Sequence, residues 1–343
     1  MHSPDIHVRS VGTALPGPAI DNATLARRFH MPAAWEQWID VFVGTGSRHF
    51  ARDLDTGEVR YTPTDLGETA GRRALEASGL GPADVDLMVL GTSSPERLMP
   101  ATVNMIADRL GIDGIPAYQL QSGCTGAFQA LDVAHQMLRS GRHRTALVLG
   151  TESCAKHLDL DVDVAALPPA EQINGVLFGD GAGAAVLSTN AGPDSVVVRD
   201  TFVRLVGLNR PPGQVVEWFG RADLGVKGPA VVEDYKEIER SVPLLAADAL
   251  RELLEHAGWK DDELDYLLPP QLSGVMTARI TEHLDAPGAQ EVSCVRELGN
   301  TGNALPFFQL ERLLPRLITG DRAAAVSVES SKWITAGLAL EKV

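Results

Sequence analysis

RRALEASGLGPADVDLMVLGTSS, residues Arg72 to Ser94, aligns without gaps on RELLEHAGWKDDELDYLLPPQLS, residues Arg251 to Ser273. Both stretches read as an amphipathic helix, a glycine at its C-terminal end, an acidic turn and an apolar strand. A second match lies downstream of each copy. Gly123-Cys124-Thr125-Gly126 pairs with Gly299-Asn300-Thr301-Gly302. Each tetrapeptide opens a helical segment that ends near Ser140-Gly141 or Thr319-Gly320, and a strand ending in Glu-Ser follows, at Glu152-Ser153 and at Glu329-Ser330. The chain therefore reads as a duplicated α/β unit. The polar, Gly/Pro-containing break STNAGPDS (Ser188–Ser195) joins the copies, so two halves are expected, 1–190 carrying the cysteine and 191–343 carrying the asparagine.

Composition agrees with such a unit. A chain of 343 residues, 44% of them hydrophobic, has the length and apolar content for a sizeable core. Strand-like and helix-like runs alternate through DLMVLG (Asp86–Gly91), TVNMIADRL (Thr102–Leu110), AYQL (Ala117–Leu120) and TALVLG (Thr145–Gly150), which is the mark of α/β layering. No apolar run is long enough to span a bilayer, and the opening MHSPDIHVRS has neither the basic end nor the apolar block of a signal peptide, so a cytoplasmic protein without membrane attachment is expected. Thirty basic against 45 acidic residues give a formal charge of -15, which argues against nucleic acid as a partner. The three cysteines, Cys124, Cys154 and Cys294, make neither a disulfide framework nor a metal ligand set.

Duplication supplies geometry. Two copies packed about a pseudo-two-fold axis bring equivalent positions near that axis face to face, so the helix starts at Cys124 and Asn300 are expected to share one pocket. A thiol at a helix N-terminus sees the positive end of the macrodipole and unpaired N–H groups, which favour thiolate. Gly123 and Gly126 permit a sharp turn and close substrate approach. Cys124 is thus a candidate nucleophile, the alternative being a small residue buried at a tight turn. FGDGAGAAVL (Phe178–Leu187) lacks the Lys-Ser/Thr of a phosphate loop, and a strand-like run rather than a helix follows its glycines; it reads as a tight turn between closely packed halves, and no cofactor is implied.

The blocks Trp38 with TGSR (Thr45–Arg48), PATVNMIADRLG, SGCTGAF, FGDGAGAAVL, LLPPQ (Leu267–Gln271) and LGNTGNA (Leu298–Ala304) occur in an order and spacing that resemble the thiolase-fold condensing enzymes, most closely ketoacyl-acyl carrier protein synthase III. The resemblance implies a thiolase-like α/β fold, duplicated βαβαβ-type halves layered α-β-α-β-α. It also implies a cysteine acylated by a thioester, with a His and an Asn stabilising the enolate of a decarboxylating malonyl thioester. Cys124 matches the nucleophile and Asn300 the asparagine. The family's Pro-His-Gln reads Pro269-Pro270-Gln271, so Pro270 holds the histidine position and offers neither a side-chain donor nor an N–H. Loss of one preorganised oxyanion donor costs about 2.7–4 kcal/mol. Decarboxylative condensation should therefore be crippled, while acylation of Cys124 survives.

A second departure is Glu329-Ser330-Ser331-Lys332-Trp333, where the family has a Gly-rich loop; backbone N–H groups of Cys124 and Ser331 are the candidate oxyanion hole. Ser273, Met99 and Asn303 are candidate pocket residues, with Met99 expected to reach a homodimer partner's pocket. The alternative reading, which such residues more often bear out, makes the serines at 273 and 331 turn or cap residues and Met99 core. Trp38 and Arg48 are expected along the phosphopantetheine entrance, or else as a core-edge aromatic and a surface cation. The substrate implied is an acyl thioester of phosphopantetheine, on an acyl carrier protein or coenzyme A, and an acidic carrier would need a basic rim, with Arg48, Lys236, Arg240 and Arg251 as candidates. Three activities stay open. The first is a non-decarboxylative condensing enzyme or acyltransferase of specialised, polyketide-type (antibiotic) metabolism, tetronate-type ring formation being one example. The others are a decarboxylative chain-initiating synthase III and a non-catalytic subunit of a heteromeric synthase.

Overall fold

The computed structural model describes residues 4–218 and 231–343. Ten strands make one continuous sheet: β1 (Ile6–Ala14), β2 (Leu87–Thr92), β3 (Ala117–Gln121), β4 (Thr145–Glu152) and β5 (Gly181–Ser188), then β6 (Val196–Leu205), β7 (Tyr266–Leu268), β8 (Gln290–Glu291), β9 (Arg322–Glu329) and β10 (Ile334–Glu341). Their order is β8-β7-β9-β10-β6-β1-β5-β4-β2-β3, which reads the same outward from the β6–β1 seam in either direction, each strand answering the one five places on. Strands β3-β2-β4 and β8-β7-β9 are parallel, and the others antiparallel. The seam itself is short and antiparallel, pairing Ile6 with Val198, His7 with Val197 and Val8 with Val196. The break Ser188–Ser195 joins β5 to β6 across it.

The helices repeat in the same way. α1 (Pro63–Ser78) and α2 (Thr102–Leu110) cover the outer face of the first five strands, and α4 (Tyr235–Ala257) and α5 (Gly274–Leu284) cover that of the last five. α3 (Gly126–Arg139) and α6 (Leu305–Leu313) lie in the middle layer, where Leu131, Leu138, Phe307 and Leu310 pack with Val89, Val148, Leu268 and Ala325 from both halves. Strands buried on both faces read as unbroken apolar runs. In β2, Leu87 and Val89 face the middle layer while Met88 and Leu90 face α1 and α2. The layering is therefore α-β-α-β-α, the thiolase-like arrangement that the motifs imply. Even the aligned turns match: α1 and α4 end on Gly79 (φ 71°) and Gly258 (φ 70°), each left-handed and followed by a 3₁₀ turn.

The middle layer sits close to the sheet because glycines line the strands beneath it. A Cβ on Gly150 of β4 would lie 2.0 Å from the Asn303 carbonyl oxygen, and one on Gly183 of β5 would lie 2.2 Å from Phe307. The tight turn expected at FGDG is not formed: Gly179 instead serves a close approach, a Cβ there falling 2.7 Å from the Leu298 carbonyl oxygen, while Gly181 and Gly183 inside β5 face Phe308 and Phe307. We expect Gly150→Ala to lower stability by about 1–3 kcal/mol or more through overpacking. Gly81→Ala, whose Cβ would meet nothing nearer than 3.8 Å, should stay close to wild type. Urea midpoints of the two variants check the expectation, and equal midpoints would contradict the close-approach account.

Candidate active site

Strand β3 ends at Gln121, the chain turns through Ser122–Thr125, and α3 starts at Gly126. The turn closes with the Gly126 N–H donating to the Gly123 carbonyl at 2.9 Å. Cys124 occupies its tip. Its carbonyl accepts from the Ser327 hydroxyl of β9 at 2.9 Å, which ties the tip to the opposite half. Asn300 is held from another direction: its N–H donates to Leu177 O at 2.9 Å, its carbonyl accepts from Gly179 N–H at 3.0 Å, and its Oδ1 accepts from Gly302 N–H at 3.0 Å. Both residues line one cavity of about 20 Å³, the size of a single water, whose wall includes Pro270, Gln271, Gln309 and Ser327. The seam therefore joins the thiol and the carboxamide in a shared space, as the duplication implies.

The hydrogen-bonding inventory of that cavity is short. Gln271 Oε1 accepts from the N–H groups of Cys294 and Val295, both at 2.8 Å. Gln309 Nε2 donates to Pro269 O and Val292 O, and Ser327 is committed to Cys124. Among the described residues, the Asn300 amide nitrogen has no partner, and no imidazole lines the cavity. His135 is buried along α3 beside the Thr201 hydroxyl, and His157 ends the 3₁₀ turn Cys154–His157. Pro270 is part of the wall. Among the described residues the site thus offers one sulfur, one amide donor and the Gln309 Oε1 acceptor, with no imidazole.

Several sequence expectations need correction. The Cys124 thiol is not eased towards thiolate by its helix: burial of the sulfur pushes it up to about 12, and the carboxylates of Glu329, Glu152 and Glu233 add to the rise. Desolvation outweighs the helix-end effect here because α3 begins two residues on and, among the described residues, no cation stands nearby. Ser273 is the N-cap of α5, accepting from Met276 N–H at 3.1 Å, and not a pocket hydroxyl. Asn303 is buried outside the cavity wall: its Oδ1 accepts from Ala127 N–H at 2.7 Å and its Nδ2 donates to Ser122 O at 3.0 Å, cross-linking the two halves. The cavity is walled on the β9 side by Val326–Val328, so Ser331 does not reach it; its hydroxyl donates to Glu329.

The entrance residues divide. Arg48 is fully buried, donating to Asn22 Oδ1 at 2.7 Å and Val176 O at 2.7 Å. It is a structural tie between the N-terminal segment and the segment before FGDG, not an entrance cation or a rim charge. Trp38 is half-buried at the end of the helix Ala33–Trp38, 6.4 Å from the exposed Phe42 ring. Met99 does not line this chain's cavity and is 86% exposed, which removes the core alternative. Of the remaining rim candidates, Arg240 and Arg251 pair with Glu237 and Asp248, while Lys236 is exposed.

Two functional positions escaped the motif reading. Glu329 and Glu152, the strand ends of the two copies, are buried carboxylates that abut the opposite tetrapeptides. Glu329 Oε2 accepts from the Ser122 hydroxyl at 2.6 Å and from the Thr125 hydroxyl and N–H at 2.6 and 3.2 Å. Glu152 accepts from Thr92, Ser93 and Ser94, and a Cβ on Gly302 would lie 2.7 Å from it. Their equivalence in the repeat was the available signal. Among the described residues no three metal-ligating side chains cluster.

Comparison with known proteins follows this geometry. The family model of 3-oxoacyl-[acyl-carrier-protein (ACP)] synthase III matches residues 118–202. The β-ketoacyl-[acyl-carrier-protein] synthase III of Sphingopyxis alaskensis is 32% identical over 297 residues, covering 87% of this chain and 86% of that one. Among solved structures, AbyA1, a tetronic acid condensing enzyme, is 58% identical with a TM-score of 0.95, covering 98% and 99% of the two chains. The priming β-ketosynthase of the R1128 polyketide pathway is 27% identical with a TM-score of 0.82, covering 100% and 98%. A duplicated thiolase-like fold, its paired tetrapeptides at one cavity, and full-length similarity of this order together make the chain a member of the β-ketoacyl-acyl carrier protein synthase III family of condensing enzymes.

Proposed function

We propose that this chain is a non-decarboxylative condensing enzyme, or acyltransferase, of specialised polyketide-type metabolism that is acylated on Cys124. The observation that carries this reading is the cavity itself: Cys124 and Asn300 share it, and Pro270 stands where an imidazole would. In the first half reaction the Cys124 sulfur attacks the carbonyl of a phosphopantetheine thioester, on a carrier protein or coenzyme A. The C–S bond to pantetheine breaks, and the thiol proton leaves with the pantetheine sulfur. The Cys124 N–H, which has no acceptor among the described residues, is the candidate oxyanion donor.

In the second half reaction, a nucleophile already acidified by its own carbonyl needs least help. A β-ketothioester carbon attacks the acyl group, the bond to Cys124 breaks, and the proton lost by the carbon restores the thiol. Asn300 Nδ2 donates to the enolate oxygen. Protons balance without a histidine. The 58% identical tetronic acid condensing enzyme supports an assignment to this kind of chemistry, and the R1128 neighbour supports a polyketide setting, in which the product is an antibiotic-type metabolite. The division into halves 1–190 and 191–343, each contributing one of the two reacting positions, belongs to the same reading.

The family's substrates support a carrier-protein partner, met at an entrance where Trp38 is the remaining candidate and Lys236 a rim cation with no ion-pair partner among the described residues. A homodimer is supported by Met99 at 86% and Leu98 at 68% exposure, and by β3, which ends the sheet with one edge unpaired. No described helix is long and apolar enough to cross a membrane, and we assign the chain to the cytoplasm.

Intact-mass measurement after incubation with acyl thioesters should show one acyl adduct on the wild type and none on Cys124→Ala. An adduct that persists in the variant would remove Cys124 from its role. With a malonyl thioester, the wild type should release carbon dioxide at the background rate. Pro270→His, which returns an imidazole to the cavity wall, should raise that release at least about tenfold, part of the 10²–10³ that one oxyanion donor provides. Wild-type release in step with product would instead identify a decarboxylative chain-initiating synthase.

A further inference from the structure

Resting on the reading of Cys124 as acyl acceptor, we propose that Glu329 is a positioning residue that clasps the Cys124 turn from the opposite half and sets its carboxylate beside the nucleophile, restraining the sulfur until the acyl donor arrives. The carboxylate takes donors from both sides of the cysteine: the Ser122 hydroxyl at 2.6 Å before it, and the Thr125 hydroxyl and N–H at 2.6 and 3.2 Å after it. Between these, Gly123 leaves the gap the carboxylate fills, since a Cβ there would lie 3.2 Å from the Glu329 carboxyl carbon. The Ser331 hydroxyl closes the fourth side. Such a clasp fixes the tip with more hydrogen bonds than the turn makes for itself.

The charges facing the sulfur are all of one sign. They are Glu329 from β9, Glu152 from β4 and Glu233 from the short strand Val231–Glu233, with Glu329 the strongest of the three after burial itself. Among the described residues no lysine, arginine or histidine faces the sulfur. Like charge disfavours the thiolate. Cys124 accordingly resists stray electrophiles in the free enzyme, a property that suits a nucleophile with no imidazole to take its proton.

Alkylation by iodoacetamide, followed by peptide mass at Cys124 across about pH 7 to 10, tests this without any acyl transfer. The wild-type rate should climb about tenfold per pH unit with no plateau in that range. Glu329→Gln, which keeps one acceptor oxygen for Ser122 and Thr125 and turns its NH2 to the Ser331 hydroxyl, should react about tenfold faster at a given pH, whereas Glu329→Asp, which keeps the charge, should follow the wild type. A wild-type plateau at or below about pH 8.5, the ordinary thiol value, overturns the proposal whatever the variants do. So does a Glu329→Gln profile that is unmoved or slower at every pH. Should the alkylation profile shift as expected while no acyl adduct forms, the proposed function fails and the clasp stands.

Discussion

The Asn303 side chain is the contact on which the rest of the structure depends. With its oxygen on the Ala127 N–H of α3 and its nitrogen on the Ser122 carbonyl, one carboxamide from the second half satisfies two backbone groups at the start of the first half's central helix. An N-terminal helix N–H has no partner in its own helix, so this bond answers a need that every helix start has. Glycines at 126 and 150 leave room for Asn303, since a Cβ at either would fall within 2.5 Å of it. Without that approach, Cys124 and Asn300 would not border one cavity.

Around this junction the two copies have diverged in their chemistry while keeping their frame. The tetrapeptide of one half carries a sulfur and that of the other an amide. The strand-end glutamates remain equivalent, yet their partners differ: Glu329 is engaged by the opposite half's Ser122 and Thr125, and Glu152 by its own half's Thr92, Ser93 and Ser94. Burial makes each carboxylate costly unless its oxygens are paired, and both are. The pairing also fixes where negative charge stands relative to the sulfur, which is why a cysteine beside a helix start ends with its thiol raised rather than lowered.

Pro270 gives the site its character by what it withholds. It packs in the wall with Phe128 and Leu305 and contributes no donor there. Gln271 spends both its polar atoms on backbone groups of the segment Val292–Val295, and Gln309 spends its Nε2 on Pro269 O and Val292 O. What is left for a substrate among the described residues is the Asn300 amide, the sulfur and the Gln309 Oε1 acceptor.

The sequence alone determined the duplication and the pairing of Cys124 with Asn300, because both are written in local patterns of period, turn and motif that repeat along the chain; the α-β-α-β-α layering and the proline at the family's histidine position followed from its resemblance to the condensing enzymes. Tertiary structure alone decided the rest. Whether Arg48 meets solvent or the Asn22 side chain, whether Ser273 caps α5 or enters the pocket, and whether Asn303 lines the cavity or spans the seam all turn on which atoms arrive from distant segments. The same holds for the thiol of Cys124: its helix is visible in the sequence, but the desolvation and the three carboxylates that outweigh it come from strands far away in the chain. Ionisation responds to every charge and every lost water within a few ångströms, and a sequence orders residues along one dimension only.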